Sequence, residues 1–256
     1  MPSLKLVLLW VRGRIFRDRA AKWNHQYASG RWEKLKIPAE QARFDATARL
    51  LTRPGSPGDV LEIGCGEALL QQRLTPADYR TWCGVDISAV AIARAQNFAG
   101  ERVRYLAADM ETFDPGASFD VIVFTESIYY SADPRRLLER YVNFLKPGGR
   151  FIVSIFRTKR SARIWAGLHT VAAPSDSLSS TSELGTWDCE VLIPLDASDG
   201  RWRPVQSSPG VHREESSPNL VNLLTRLFVS PAPEGYEDRQ GFHFAPTGSD
   251  GTHSPA

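Results

Sequence analysis

Cysteine is scarce in this chain, with three among 256 residues. Cys65, Cys83 and Cys189 stand far apart with no CxxC pair, which excludes a disulfide framework and zinc-site spacing and fits a reducing compartment. Long apolar runs are missing too, since none approaches the ~20 residues that span a bilayer. Neither sign of charge dominates, the formal net charge being +2, and there are no internal repeats. What is present is enough chain for one α/β domain with additions. Its hydrophobic fraction of 42% and charged fraction of 23% are those of an ordinary globular protein.

The charge is unevenly placed. Residues 1–53 carry twelve Lys/Arg against four acids, whereas the rest of the chain is mildly acidic. Within that basic arm, "LKLVLLWVRGRIF" puts Leu4, Val7, Leu8, Val11 and Ile15 on one helical face. The apolar core is too short for a signal peptide, and no small-residue cleavage site follows. Two readings stay open: a helix packing on the domain, or peripheral membrane contact through residues 1–19 with basic anchors. The expected location is cytoplasmic, membrane-peripheral on the second reading.

Three zones follow from the pattern. Residues 1–53 form a helical, aromatic and basic arm, with an amphipathic helix after Pro38. "RPGSPGD" marks a turn-rich boundary, and residues 54–196 alternate strand and helix signals. Strands are expected at Val60–Ile63, Thr81–Val85, Val103–Leu106, Asp120–Phe124 and Arg150–Ile155. Helices are expected at Ala68–Leu74, at Ala89–Phe98 with Ser88 as N-cap, and at Pro134–Leu145 with Asp133 as N-cap. "LKPGGR" reads as a helix stop and a tight turn into a strand. Repeated β-then-α units of this length mean a parallel sheet with right-handed crossovers. Residues 197–256 are rich in Pro, Gly and Ser and read as a largely disordered, low-complexity tail. One short helix is expected near residues 218–229, where Pro218 would begin it and Leu220, Leu223, Leu224 and Leu227 share a face.

"VLEIGCGEALL" carries the chemistry. A strand runs into glycine-x-glycine, but the third glycine of a dinucleotide fingerprint would fall on Leu69, so that fingerprint is incomplete. The phosphate loop GxxxxGK[ST] is absent. Glu62 adds an electrostatic objection, because a carboxylate at ~4 Å from a phosphate costs about 4 kcal/mol at an effective dielectric of ~20. A cationic, phosphate-free nucleoside meets no such penalty, and S-adenosylmethionine is one. Asp86, in "WCGVDIS", closes the second strand where an acid accepts from both ribose hydroxyls. Asp109, in "YLAADMETF", follows the third strand, within reach of an adenine amino group. A lone Asp at a strand end is as often a turn cap; three acids at successive strand ends point to an adenosyl ligand.

Taken in order, "VLEIGCGEA", "GVDIS", "AADM", "FDVIVFTESIYY" and "LKPGGRFIVSIF" resemble the motifs of class I S-adenosylmethionine-dependent methyltransferases. The resemblance spans roughly Val60 to Ile155. It implies a Rossmann-like seven-stranded sheet, mostly parallel, with an antiparallel last strand at Thr186–Pro194. It also implies S-adenosyl-L-methionine as cofactor and no metal. On the matching positions Glu62, Gly64, Cys65 and Gly66 would line the methionine end. Asp86 would hold the ribose with Ile87 against the adenine, Asp109 and Met110 would meet the adenine edge, and Thr125 would close the site. Two departures stand out. Ala68 occupies a position where the family often has a third glycine, and alanine is small enough to be tolerated there. "TVAAPSDSLSSTSEL" makes a poor sixth strand.

The acceptor side falls on "FTESIYY". It is neither the (D/N)PP(Y/F) signature of nucleobase amine methylation nor a Pro-Cys nucleophile, and no basic-aromatic interleaving marks an RNA module. Nucleic acid is therefore not the expected substrate. The segment is similar to an element of chitooligosaccharide N-methyltransferases and related small-molecule enzymes, which implies an amine or hydroxyl acceptor on a sugar or other small metabolite. Glu126 and Tyr129 are the expected catalytic pair, with Tyr130, His25 and His169 as lesser candidates. The bland alternatives are that both tyrosines pack under the pocket and that Glu126 caps a helix or pairs with Arg135 or Arg136. Trp23, Tyr27 and Trp32 flank a hinge-like "ASG" and suggest a lid over cofactor and acceptor.

Overall fold

The computed structural model describes residues 19–53, 58–195, 235–238 and 241–244. The helices expected at residues 4–15 and 218–229 lie outside them. Two short helical elements come first: α1, Arg19–Ala28, and α2, Pro38–Leu51, with a 3₁₀ segment Arg31–Lys36 between. Pro38 takes the first helical position of α2, where its missing N–H costs nothing. The sheet then forms from β1 (Asp59–Ile63), β2 (Thr81–Asp86), β3 (Val103–Ala107), β4 (Phe119–Thr125), β5 (Leu145–Phe156), β6 (Ala172–Ser182) and β7 (Gly185–Pro194). Helices α3 (Ala89–Ala95), α4 (Pro134–Val142) and α5 (Ser161–Leu168) are interleaved.

The strand order is β3-β2-β1-β4-β5-β7-β6, parallel except for β7, which runs antiparallel to both neighbours. The expected mostly parallel seven-stranded sheet with an antiparallel Thr186–Pro194 strand is what forms. Order reverses between β1 and β4, and the crevice outside the carboxyl ends of the strands at such a switch point is where α/β sheets bind ligands.

Both faces of the sheet are covered, as alternation along the strands requires. Val60, Val121, Val123, Ile152, Cys189 and Val191 turn to one side, where Phe44, Leu50 and Leu51 of α2 join them. Leu61, Ile63, Ile122, Phe124, Phe151 and Val153 turn to the other, against Leu137, Leu138 and Tyr141 of α4 and Trp165 and Leu168 of α5. The caps are those expected: Ser88 Oγ accepts from Ala91 N at 3.2 Å, and Asp133 Oδ1 accepts from Arg136 N at 3.1 Å.

Three elements differ from the sequence reading. Ala68–Leu74 forms no α-helix; it is a run of turns ending in a 3₁₀ segment, Gln71–Arg73. Ala68 sits at φ 65°, buried, in the left-handed region that a right-handed helix excludes. Helix α4 stops at Val142, and Leu145 already pairs with Phe119, so Lys146–Gly149 loop out of β5 before Arg150 resumes the ladder opposite Val121. The doubtful sixth strand is present. As an edge strand β6 needs only one packed face, and its residues alternate between half-buried and exposed, with Leu178 against the core. Its register shifts between Pro174 and Asp176, which places the proline at the irregularity. Arg53, just past α2, ion-pairs with Asp176 there.

Within the region read as a disordered tail, Gly235–Asp238 and Gly241–Phe244 pair as an antiparallel hairpin. Among the described residues no helix is long and apolar enough to cross a membrane, and no three metal-ligating side chains cluster.

Candidate active site

The glycine turn leaves β1 and is pinned to the end of β2, where Val85 O accepts from both Gly64 N (2.7 Å) and Cys65 N (3.0 Å). Gly64 takes φ 75° and Gly66 φ 52°. A methyl group on Gly64 would collide with Ser127, whose hydroxyl donates to Ile63 O at 2.5 Å. A Cβ on Gly66 would meet the Tyr27 hydroxyl at 2.7 Å. Glycine is thus required twice, by conformation and by close approach. Ala68 adopts the left-handed conformation that a third glycine would take, at a cost of about 1 kcal/mol.

Asp86 stands beside this turn at the end of β2. Its Oδ2 accepts from Gly66 N at 2.9 Å and its Oδ1 from Ser88 N at 2.8 Å. Burial pushes its carboxyl up to about 6, against the pull of those two N–H groups. Each oxygen retains a lone pair for a hydroxyl. Ile87 follows, half-buried. Asp109 caps its own turn by accepting from Glu111 N at 3.0 Å, and is half-exposed toward Arg19 Nη1, 3.8 Å away. Met110 packs on the core, and its carbonyl is held by Tyr141 Oη at 3.0 Å and Arg140 Nη1 at 3.3 Å. Arg140 also donates to Phe113 O. Sequence reasoning missed these two α4 residues, because an amphipathic helix gives no sign of what its polar end will grasp.

Glu62 lies one strand over from Asp86, only 1% exposed. Burial first, and then the Asp86 charge, push its carboxyl far above the usual carboxylate range. The Trp82 indole leans the other way, toward the charged form, but Trp82 Nε1 and Glu62 Oε2 each lack a hydrogen-bond partner of normal geometry. Cys65 is a buried thiol, pushed up by burial and by the neighbouring acids. Thr125 Oγ1, at the end of β4, is a third buried polar atom without a partner.

The acceptor side begins at Glu126, which has φ 54°, an uncommon conformation for a residue with a side chain. Its carboxylate accepts from Ser154 Oγ (2.8 Å), Phe156 N (3.0 Å) and Tyr129 Oη (3.0 Å). Burial raises its pKa, opposed first by the charge of buried Arg43 on α2. The two residues expected to act together are therefore in contact. Glu126 caps no helix; Asp133 does that, and Arg135 pairs with Glu139 at 3.3 Å. His25 is exposed on α1. His169 ends α5, stacked on Trp165 and 2.7 Å from Glu190.

The aromatic arm lies across this edge. Trp23 stacks on Trp32 with centroids 5.4 Å apart and meets Tyr130 edge-on at 4.7 Å. Asn24 Oδ1 accepts from Ser88 Oγ (2.9 Å) and Val90 N (3.2 Å), and Arg19 Nη2 donates to Tyr130 O (2.9 Å). Glu67, buried in the glycine turn, is gripped by Lys36 Nζ at 2.6 Å and by Arg94. Arg94 also donates to Tyr27 O at 3.0 Å. Arm, turn and α3 are thus joined by one polar network, which no local motif announced.

These residues fit an adenosyl cofactor with a cationic amino-acid end. A buried carboxyl oxygen without a partner answers a positive donor, and Asp86 answers a diol. No helix N-terminus follows the turn to answer a pyrophosphate.

Fold and crevice together define the nucleoside-binding α/β class. A family profile described as a methyltransferase domain matches residues 32–192, and the chain belongs to that family. An uncharacterized methyltransferase of Mycobacterium tuberculosis is 39% identical over 102 residues, covering 39% of this chain and 51% of the relative. The chain thus spans about half the length of that relative. Nodulation protein S of Azorhizobium caulinodans is 33% identical over 143 residues, covering 54% of this chain and 67% of the relative. Among solved structures, N-methyltransferase NodS of Bradyrhizobium japonicum with S-adenosyl-L-homocysteine superimposes with a TM-score of 0.57. It is 22% identical and covers 64% of this chain and 92% of the NodS chain, a likeness of fold.

Proposed function

We propose that this chain transfers a methyl group from S-adenosylmethionine to an amine or hydroxyl of a small molecule, a sugar or glycan precursor being the favoured class. The observation that carries the reading is the Glu126–Tyr129 contact, set one residue from Ser127, which packs on the Gly64 turn. Similarity to nodulation protein S and to an N-methyltransferase fold supports the amine in particular.

Bound in the crevice, S-adenosylmethionine would supply an electrophilic methyl on a sulfonium. The chain's own part is positioning, water exclusion and proton handling. Asp86 and the 109–113 turn, braced by Arg140 and Tyr141, hold the nucleoside end. Trp23, Tyr27 and Trp32 cover the mouth. Tyr129 donates its hydroxyl proton to Glu126, so its oxygen lone pairs are what it offers an acceptor N–H or O–H. As the acceptor loses its proton to Tyr129 Oη, the tyrosine proton passes to Glu126 Oε2. Burial equips Glu126 to keep that proton.

Transfer of label from isotopically marked S-adenosylmethionine into a small-metabolite extract tests the reading, with product mass identifying the acceptor. Glu126→Gln and Tyr129→Phe should each lower turnover about 100-fold while leaving cofactor affinity within about threefold. Undiminished turnover in both variants would remove the pair from the mechanism. Label that never leaves the cofactor would favour a binding subunit without chemistry.

A further inference from the structure

Helix α2 approaches Glu126 by way of β7. The Glu126 carboxylate takes hydrogen bonds from two residues of β5, Ser154 Oγ at 2.8 Å and Phe156 N at 3.0 Å. In the ladder those residues stand opposite Cys189 and Trp187 of β7. Side chains of α2 cover both partners. Thr47 Oγ1 lies 3.6 Å from Cys189 Sγ, and one turn earlier the Arg43 guanidinium lies 6.0 Å from the Trp187 ring centroid. Positions i and i+4 share a helix face, so these two contacts fix which side of α2 meets the strands that carry the base. Trp187 in turn meets the Phe156 ring edge-on at 5.2 Å.

A cation is costly at this place. Arg43 is 6% exposed, on a helix whose Phe44, Leu50 and Leu51 join the core. Its Nη2 stands 3.4 Å from Oε2 of Glu40, which is buried as well, and its Nε has no hydrogen-bond partner. A buried ion pair is often no more stable than apolar side chains of the same size, so packing does not account for the cation. Glu40 leaves part of the guanidinium fork uncommitted. After burial itself, the charge of Arg43 is the strongest influence on the Glu126 carboxyl.

We propose that Arg43 is a positioning residue, which holds the Glu126 carboxylate from α2 against Ser154 and Phe156 and keeps it aimed at Tyr129 Oη. The arm then supplies part of the catalytic pair as well as covering the site. This inference rests on the methyl-transfer reading and adds to it a residue that acts only through Glu126.

A double-mutant cycle on the full chain tests it. The readout is transfer of label from methyl-labelled S-adenosylmethionine into the small-metabolite extract, over a dilution series of that extract. Arg43→Met alone would leave Glu40 buried without its cation, so the two are changed together, Glu40→Gln with Arg43→Met. This paired variant should lower maximal transfer about tenfold. The half-saturating dilution, and the calorimetric affinity for S-adenosylhomocysteine, should both stay within about threefold. In the Glu126→Gln background the same change should cost less than about twofold, because nothing is left to position. Arg43→Lys, which keeps the charge but not the planar fork, should fall between wild type and the paired variant. Should the paired variant fail to fold, the cycle run with Arg43→Lys carries the test.

Equal losses in the two backgrounds overturn the inference, since a merely structural role weakens both alike. Undiminished transfer overturns it too, as does a shifted half-saturating dilution at unchanged maximum, which would set Arg43 against the acceptor. Failure of the underlying reading looks different: the wild-type chain then transfers no label, and the inference falls with it.

Discussion

Asp86 shows how much one side chain does here. It shapes the glycine turn through Gly66 N, starts α3 through Ser88 N, and keeps a lone pair on each oxygen. Charge-assisted hydrogen bonds contribute roughly 1.5–3 kcal/mol each, so Asp86→Ala should weaken cofactor binding at least tenfold by calorimetry. Its ionisation also makes a stability prediction. In the fold its pKa is about 6, above the ordinary carboxylate value, so the folded, cofactor-free chain holds this proton more tightly than the unfolded chain does. Stability should therefore fall as pH rises from about 4 to about 6 and then level off, by roughly 2–3 kcal/mol from this residue. Urea titrations across that range should show a shallower slope for Asp86→Asn. The acid itself was legible in the sequence as a strand-end carboxylate. Its double duty as a turn brace was not, since that depends on where Gly66 and Ser88 point their N–H groups.

At the scale of elements, the arm and the glycine turn behave as one piece. Opening the arm must break the Lys36–Glu67 pair and the Arg94 bond to Tyr27 O. Glu67→Gln should therefore speed release of S-adenosylhomocysteine several-fold, and raising salt should speed release in the wild-type chain more than in the variant. Stopped-flow release measured at two ionic strengths checks both. If Trp23→Ala and Trp32→Ala left cofactor affinity and turnover intact, the covering role of the arm would be wrong. Strands of the parallel core were readable because their apolar runs are buried on both faces. Strand β6 was not, because an edge strand needs half that signal and most of its Ser and Thr residues face water. The stretch Ala68–Leu74 misled for the opposite reason. Its composition suits a helix, yet the left-handed Ala68 within the turn prevents one.

For the molecule as a whole, the end of the sheet opposite the site is tied by charge. Lys146 Nζ lies 2.8 Å from Asp120 Oδ2 and pairs with Asp59, which also binds Arg80 and Thr81 Oγ1. These partners, Arg80 first, hold the Asp59 carboxyl well below its usual range. A depressed carboxyl lends stability above its unfolded pKa and loses it as pH falls through the folded one. Lys146→Met should destabilise the fold by about 1 kcal/mol near pH 7, and by less near pH 3, where Asp120, freed of its lysine, takes up a proton in the variant while Asp59 stays paired with Arg80. Thermal melts at the two pH values read this directly. The overall topology was foreseeable from motif order alone, whereas this clamp joins residues far apart in the chain that no short pattern links.

The glycine turn that runs on without a helix has one more consequence. Most dinucleotide enzymes rely on a helix whose positive end meets phosphate, and here no such end exists. Restoring the missing glycine, or removing the acid at the mouth, would not convert this protein into a nicotinamide enzyme. The preference for a phosphate-free linker between nucleoside and tail is written into the backbone path, beyond the reach of single side-chain exchanges.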